Sequence, residues 1–88
     1  MNKTLAFKEK GFEDYLYWQT QDRKILKRIN LLLRDIDRNG HGGIGKPEPL
    51  KHALQGWWSR RIDDEHRLVY RIEKNEVHIL SCRFHYGE

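Results

Sequence analysis

One helical stretch constrains the fold of this chain more than any other segment. Its apolar residues recur at i, i+4, i+7, i+8 and i+11, the spacing that lines up side chains along one side of an α-helix. They are Ile25, Ile29, Leu32, Leu33 and Ile36. Asp22 can cap the start of this helix, and Asn39 with Gly40 can end it in a left-handed turn. A helix with one apolar side needs another element of structure to cover that side.

A second helix and a short strand are expected before it. Residues 4–8 alternate in part between apolar and polar, as a strand does. The helical stretch that follows has an apolar side formed by Phe12, Tyr15, Leu16 and Gln19.

Downstream of these helices the period of the apolar residues changes to two. This change predicts strands over residues 57–62, 67–72 and 77–84, which polar turns join into consecutive hairpins. We therefore expect one α+β domain over residues 1–88, with two N-terminal helices packed on one face of a mainly antiparallel sheet.

The composition favours an anionic partner but does not indicate which kind of anionic partner. The net charge is +4 and the pI is near 9.4, which favours a nucleic acid, a membrane surface or an acidic protein. No apolar run reaches the roughly 18 residues that span a bilayer, and the N terminus lacks the apolar stretch of a signal peptide. We expect a cytoplasmic protein with no membrane partner. The lone Cys82 cannot form an internal disulfide and is expected as a buried apolar side chain.

Strand parity divides the sheet residues between two faces, because alternate side chains point to opposite sides. The residues expected against the helices are Leu68, Tyr70 and Ile72 on one strand and Leu80, Cys82 and Phe84 on the next. The open face would then collect cations and one imidazole, from Trp57, Ser59, Arg61, Arg67, Val69, Arg71, Ile79, Ser81, Arg83 and His85.

The glycine-rich loop over residues 40–45 invites a nucleotide-binding interpretation, since it reads G-x-G-x-x-G and Lys46 extends it toward a G-x-x-x-x-G-K motif. Both matches are accidental by context. The loop follows a helix instead of joining a strand to a helix, and Pro47 stands where the second motif needs a hydroxyl for magnesium. A hinge or a clamp is the better interpretation.

Glu48 lies between Pro47 and Pro49, so Lys46 and Glu48 both precede a proline and are expected in extended geometry. The commonest fate of such a glutamate is a solvated turn position. Lys51 nearby and the arginine-rich face favour a functional carboxylate instead, since a neighbouring cation keeps a carboxylate ionised as a base.

The segment Trp57-Trp58-Ser59-Arg60-Arg61 interleaves aromatic and guanidinium groups, as is typical of proteins that stack on unpaired bases and contact phosphates. A purely structural alternative exists here. Trp58 shares parity with Ile62 and should be core, and one of the two arginines would be a solvated edge charge.

His85 shares its expected face with Arg61, Arg67 and Arg83. Guanidinium neighbours disfavour the protonated imidazole until an anionic phosphate arrives, which suits phosphate chemistry better than packing. Cys82-x-x-His85 could suggest zinc, but parity places the two on opposite faces and no second pair of ligands accompanies them. We expect no metal and no other cofactor.

Several segments carry a family resemblance. They are Lys46-Pro47-Glu48-Pro49-Leu50-Lys51-His52, Trp58-Ser59-Arg60-Arg61-Ile62, Glu65-His66-Arg67-Leu68-Val69-Tyr70, Cys82-Arg83-Phe84-His85-Tyr86 and Asp14-Tyr15-Leu16-Tyr17-Trp18. Together with the helix after Asp22, they look like the YoeB (Txe/YoeB) branch of the RelE-like toxins. The resemblance covers nearly the whole chain.

The resemblance implies a RelE-like fold and a toxin of a type II toxin–antitoxin system. Such a toxin is an mRNA interferase that binds the 70S ribosome, cuts mRNA at the ribosomal A site and inhibits translation. The resemblance also implies a YefM-like antitoxin and a homodimer.

Residue by residue, the resemblance makes Glu48 the general base, His85 the general acid and Arg67 the cation that stabilises the phosphate. Lys51, Arg61 and Tyr86 become supporting residues. Chains of this branch commonly end at the tyrosine, whereas Gly87 and Glu88 follow here.

The expected chemistry is metal-independent cleavage of RNA by the ribose 2′-hydroxyl, which leaves a 2′,3′-cyclic phosphate. Glu48, Arg67, His85 and Tyr86 form the expected catalytic set, with Lys51, Arg61, Arg83 and Trp57 on RNA or phosphate. Two other classes stay open: a non-catalytic RNA- or ribosome-binding module that uses the same basic face, and a structural interaction protein that uses exposed aromatics. Only Glu48 and His85 separate the enzyme from the binding module.

Overall fold

Two helices and five strands make up residues 2–84, the part of the chain that the computed structural model describes. The elements are β1 (Thr4–Phe7), α1 (Glu9–Gln21), α2 (Arg23–Asn39), β2 (Glu48–Pro49), a 3₁₀ turn (His52–Leu54), β3 (Trp58–Arg61), β4 (Arg67–Glu73) and β5 (Glu76–Ser81). The sheet has the order β1-β5-β4-β3-β2, and only the β1–β5 pair is parallel. The expected α+β fold is confirmed.

Helix α2 forms as its sequence predicts. The Asp22 carboxylate accepts hydrogen bonds from the backbone N–H groups of Lys24 and Ile25, and Gly40 ends the helix with a positive φ of 65°. Four of the five stripe residues are buried against the sheet and α1, and Ile25 packs at the margin. The apolar stripe therefore supplies one half of the core. No helix within residues 2–84 is both long and apolar enough to cross a membrane.

Helix α1 turns a different side to the sheet from the one that its apolar pattern indicates. Its buried residues are Gly11, Asp14 and Trp18, whereas Phe12 and Leu16 are about half exposed. A side chain at Gly11 would collide with the backbone carbonyl of Ile79, so the helix packs through its backbone at this position. The orientation of this helix is therefore set by the close approach of its backbone to β5 at Gly11 and by the burial of the Asp14 carboxylate. The spacing of its apolar residues does not set it.

The parity predicted for the last strand is wrong over its first half. Val77 and Ile79 are buried in the core and Leu80 is only partly buried, whereas Ile79 was expected on the open face and Leu80 in the core. A β-bulge explains the difference, because the β4–β5 register moves from Tyr70 opposite Ile79 to Val69 opposite Ser81 and leaves Leu80 as the extra residue. Beyond the bulge Cys82 is buried, as expected, but Phe84, which was also expected in the core, is about half exposed because β5 ends at Ser81.

The sheet gains a strand that the alternating pattern does not show. Glu48 and Pro49 form β2, which pairs antiparallel with β3 at the edge of the sheet, where a proline is tolerated. Glu48 is extended, as its position before a proline predicts. Lys46 is not, since it has a φ of 52° in the turn that leads into β2.

The glycine-rich loop encloses a buried arginine. Arg60 is fully buried, and its guanidinium donates to the carbonyl oxygens of Gly40, Gly42 and Ile44 at 2.6–3.0 Å and to the Asp35 carboxylate. The loop therefore points carbonyl groups at a cation, the opposite polarity to a phosphate-binding loop. Of the two functions expected for the loop, a hinge or a clamp, the structure shows a clamp around Arg60. Of the two arginines, one of which was expected to be solvated, Arg61 is exposed and Arg60 is the buried one.

The Arg60 cluster also sets the charge of Asp35. Partial burial would raise the pKa of Asp35, but hydrogen bonds from Arg60, Asn39 and the backbone of Ile44 outweigh it and hold that pKa below its usual value. Arg60 also donates to the Tyr70 hydroxyl at 3.1 Å. The buried cation is thus fully supplied with acceptors from α2, the loop and β4.

Candidate functional site

The sheet face turned away from the helices is called here the outer face. Its residues on strands β2 to β5 are Glu48, Ser59, Arg61, Arg67, Val69, Arg71, Glu73, Glu76, His78 and Ser81. One row of direct cross-strand neighbours crosses four strands: Glu48 faces Ser59, Ser59 faces Val69, and Val69 faces Ser81. Residues that face each other across strands project on the same side of the sheet. Glu48 therefore stands at one end of a row that ends at the close of β5.

The residues in the middle of this row are less accessible to solvent than the residue at its β2 end. Ser59 and Val69 are buried, whereas Glu48 is exposed. Adjacent strands are about 4.8 Å apart, so Glu48 and Ser81 are separated by on the order of 14 Å of sheet. That span can hold a phosphodiester with a group on either side of it.

Arg61 and Arg67 face each other directly on the outer face. Like charges at a direct cross-strand position destabilise a sheet, and an anion placed between them removes the repulsion. Among residues 2–84, neither arginine has a carboxylate within ion-pair distance. The pair lies one pleat repeat, roughly 7 Å, along β3 and β4 from the row that contains Glu48. Such an arrangement of cationic residues is suited to bind an anion.

Arg67 is held in place by a turn. Its Nη1 donates to the carbonyl oxygens of Asp63 and His66 at 2.9 and 3.1 Å. The Asp63 carboxylate closes that turn by accepting from the backbone N–H groups of Glu65 and His66. One edge of the guanidinium is thus fixed to the protein, which leaves its other N–H groups to meet an oxyanion.

Trp57 lies next to the outer face under a cation. The Arg71 guanidinium sits 4.7 Å from the centre of the Trp57 ring, and Trp57 itself is partly buried. Arg71 also reaches Glu73 at 3.4 Å, and its Nε is buried without a hydrogen-bond partner among residues 2–84. The Arg71 guanidinium therefore already stacks on the Trp57 indole.

Lys51, in contrast, is exposed where the chain leaves β2 for the 3₁₀ turn.

Arg83 does not join the arginines of the outer face. Its guanidinium lies 3.6 Å from the centre of the Tyr17 ring on α1 and 4.5 Å from that of Phe84. Strand β5 ends at Ser81, so the parity on which its expected position depends does not extend to Arg83. His85 and Tyr86 lie outside the described residues, so their expected positions stay predictions.

The segment just before His85 is anchored by residues that the sequence did not single out. The N–H of Cys82 donates to the buried Asp14 carboxylate at 3.0 Å, and the Cys82 carbonyl accepts from Trp18 Nε1 at 2.9 Å. Burial, and the charge of nearby Asp14, raise the pKa of the Cys82 thiol to about 12, so it is an inert filler. Asp14 and Trp18 belong to a motif of the family resemblance, which was the one signal available for them.

Within residues 2–84, no three histidine, cysteine, aspartate or glutamate side chains gather as a metal site would require. The chemistry available to the outer face is that of a carboxylate, paired guanidinium groups and an aromatic ring.

Comparison with known proteins adds the family. Residues 7–86 match the family model of the YoeB-like toxin of bacterial type II toxin–antitoxin systems. Toxin YoeB of Synechocystis is 58% identical over 82 residues, which are 93% of this chain and 95% of that protein.

Solved structures agree with the sequence comparison. The YoeB dimer from Staphylococcus aureus matches with a TM-score of 0.92 and 52% identity, over 98% of this chain and 100% of that one. The YoeB–YefM complex from the same organism matches with a TM-score of 0.90 and 50% identity, over 98% of this chain and 100% of that one. The chain described here therefore belongs to the YoeB-like toxins of bacterial type II toxin–antitoxin systems.

Proposed function

We propose that this toxin is an endoribonuclease that cuts messenger RNA at the A site of the ribosome, without a metal, and so inhibits translation. The observation that carries the proposal is the Arg61–Arg67 pair on the outer face, one pleat repeat from the row that begins at Glu48. Two adjacent guanidinium groups without a carboxylate among residues 2–84 are suited to a phosphodiester. A carboxylate on the same face is suited to take a proton beside it.

The reaction needs one base and one acid. Glu48 takes the proton from a ribose 2′-hydroxyl while O2′ attacks the adjacent phosphorus. The bond from phosphorus to O5′ breaks, and His85 gives its proton to that departing oxygen. The products are a 2′,3′-cyclic phosphate and a 5′-hydroxyl, with Glu48 protonated and His85 neutral. Proton exchange with water restores both groups.

The arginines stabilise the charge that grows on the phosphoryl oxygens. Arg67 is the principal candidate, because its guanidinium is fixed by the Asp63 and His66 carbonyl groups before substrate binds. Arg61 adds the second cation, and Lys51 with Tyr86 supports the site. Each positioned acid or base contributes about 10²- to 10⁴-fold in rate, and fixed cations contribute on a similar scale.

Partners follow from the relatives. The Staphylococcus aureus relative has been solved as a YoeB–YefM complex and as a dimer, and we propose a YefM-like antitoxin and a homodimer for this chain. An acidic antitoxin segment would be attracted to the net charge of +4. Action on ribosomes places the protein in the cytoplasm.

Mapping of message ends on translating ribosomes tests the proposal. Brief expression of the parent should produce new 5′ ends within A-site codons, with 2′,3′-cyclic phosphate on the upstream fragments. A His85→Gln variant should bind ribosomes and produce no new ends. If the variant inhibits translation as strongly as the parent, the non-catalytic binding module is the correct function and the nuclease proposal is wrong.

A further inference from the structure

We propose that His66 is a positioning residue for the catalytic acid: it fixes the backbone of Phe84 and so aims His85 at the leaving oxygen. The inference rests on the proposed nuclease function. No motif or comparison assigns this role to His66. Its backbone carbonyl accepts from Nη1 of Arg67, but its imidazole bonds the backbone of Phe84, and through that ring it acts on the chain that carries His85.

A hydrogen bond between Phe84 and His66 carries the proposal. The backbone N–H of Phe84 donates to Nδ1 of His66 at 2.7 Å, across 18 residues of sequence. The carbonyl of the same Phe84 accepts from the backbone N–H of Arg67 at 3.1 Å. Both polar groups of the last described backbone unit are thereby fixed to two adjacent residues at the start of β4. Residue 85 is joined to Phe84 by the next peptide bond.

The backbone of Phe84 needs such restraint. Its φ is 62°, in the left-handed region that side chains other than glycine adopt at a cost. Such a conformation persists only when its surroundings over-determine it. The bonds to His66 and Arg67 supply that restraint, and the ring of Phe84 lies 5.5 Å from the ring of His66.

His66 is itself rigid. It is buried, its ring meets Trp18 edge to face at 4.8 Å, and its backbone N–H donates to the Asp63 carboxylate at 2.7 Å. Its carbonyl accepts from the backbone of Ile62 and from Nη1 of Arg67. His66 therefore holds the Arg67 guanidinium, the proposed phosphate-binding group, through its backbone carbonyl. Through its ring it holds the backbone just before His85.

The acceptor role also fixes the tautomer. Nδ1 must be free of a proton to accept from Phe84, so the imidazole carries its proton on Nε2, which lies 3.6 Å from Glu65 Oε1. A side chain without an acceptor at the Nδ1 position would leave the Phe84 N–H unpaired. The position of His85 would then be free to drift by the small distances that proton transfer does not tolerate.

Two nearly isosteric substitutions separate the hydrogen bond from the packing. His66→Asn keeps an acceptor, because its amide oxygen is as many bonds from the backbone as Nδ1. His66→Leu has a similar branched shape and no acceptor. Both lose the aromatic contact with Trp18, so a purely structural role predicts similar losses of rate for the two variants.

We expect His66→Leu to lower the single-turnover cleavage rate on programmed ribosomes by about 10²-fold, with binding to ribosomes unchanged. His66→Asn should recover most of that rate. Circular dichroism and the midpoint of thermal unfolding should show that the two variants are equally folded. Equal rates for the Leu and Asn variants would overturn the proposal.

A second substrate links the defect to the acid. Sulfur in place of the bridging 5′-oxygen makes a leaving group that needs no proton. His85→Gln and His66→Leu should both cut this message at close to the parent rate. If only His85→Gln is rescued, His66 acts elsewhere and its positioning role is refuted. If the parent cuts and His85→Gln is not rescued, the acid assignment itself fails, and a parent that cuts no RNA refutes the nuclease function.

Discussion

Two adjacent arginines of β3 have opposite environments. Arg60 points to the inner face, is fully buried and donates to Asp35, Tyr70 and three loop carbonyl groups. Arg61 points to the outer face, is exposed and stands opposite a second arginine. Side chains with the same chemistry thus serve two purposes: one is saturated by protein acceptors and holds the fold, and the other keeps its donors for a ligand.

The two faces of the sheet follow the same division. On the inner face, polar groups are hydrogen-bonded to one another and lie in the core beside α2. On the outer face, the Arg61–Arg67 pair has no carboxylate within ion-pair distance among residues 2–84 and lies near the buried Ser59 and Val69. Stability and function should therefore respond to different substitutions.

The largest effect on stability is expected at Arg60. Replacement by methionine should lower the free energy of unfolding by about 3–5 kcal/mol, because Asp35 and the loop carbonyls lose a buried cationic partner. Urea denaturation measures this loss. The matched change Arg61→Met should shift stability by no more than about 0.5 kcal/mol. Similar losses at both positions would break the proposed division.

Arg67 should show the converse behaviour, a large effect on rate with a small one on stability. Arg67→Lys keeps the charge but loses the planar fork that the turn carbonyls orient. Its single-turnover cleavage rate should fall by about 10²-fold, as expected for loss of one preorganised donor. A rate equal to that of the parent would mean that Arg67 contributes only charge.

Arg61 should affect binding more than chemistry. Arg61→Gln should weaken binding to RNA on the ribosome and reduce the salt dependence of that binding by about one charge. Lys8→Gln is the control, since Lys8 adjoins β1 at the opposite edge of the sheet from β2. The same change in salt dependence for both variants would show that net charge, and not the Arg61–Arg67 pair, drives binding.

The smallest effect concerns pH and the loop over Arg60. His41 stacks on Trp58 at 3.9 Å, and its desolvation, with the nearby charge of Arg60, lowers its pKa below 6.5. The folded state thus favours the neutral imidazole. Its stability contribution is complete above pH 6.5 and declines as the pH falls through the folded pKa. A small decrease in the urea midpoint between pH 7 and pH 5 should be diminished in His41→Phe.

Much of the fold could be read from the sequence because its signals are local. The stripe of α2, the Asp22 cap and the alternation in β4 depend on near neighbours along the chain. What the sequence missed depends on distant contacts. The bulge at Leu80 arises from pairing with β4, and the orientation of α1 depends on the contact of Gly11 with Ile79.

The residues of the candidate site also divide into those that the sequence could place and those that it could not. Arg61 and Arg67 could be placed on one face from parity, and the structure brings them there. Glu48 was expected only as an extended residue, and its pairing with Ser59 is what puts it on the same face. Arg83 could not, since β5 ends before it and its guanidinium lies on the ring of Tyr17. Arg60 resembles Arg61 in every local respect, and only the loop and Asp35 mark it as structural. His66 gains its role from Phe84, which is remote in sequence.

The central claim is that this outer face cuts RNA through the substrate's own 2′-hydroxyl. The most direct measurement uses one message in two forms on programmed ribosomes: all-ribose, and with a single 2′-deoxy nucleotide at the scissile position. The account predicts that the parent toxin cuts the first and leaves the second intact while it still binds both complexes. Cleavage of the deoxy-substituted message at the same phosphate would contradict it.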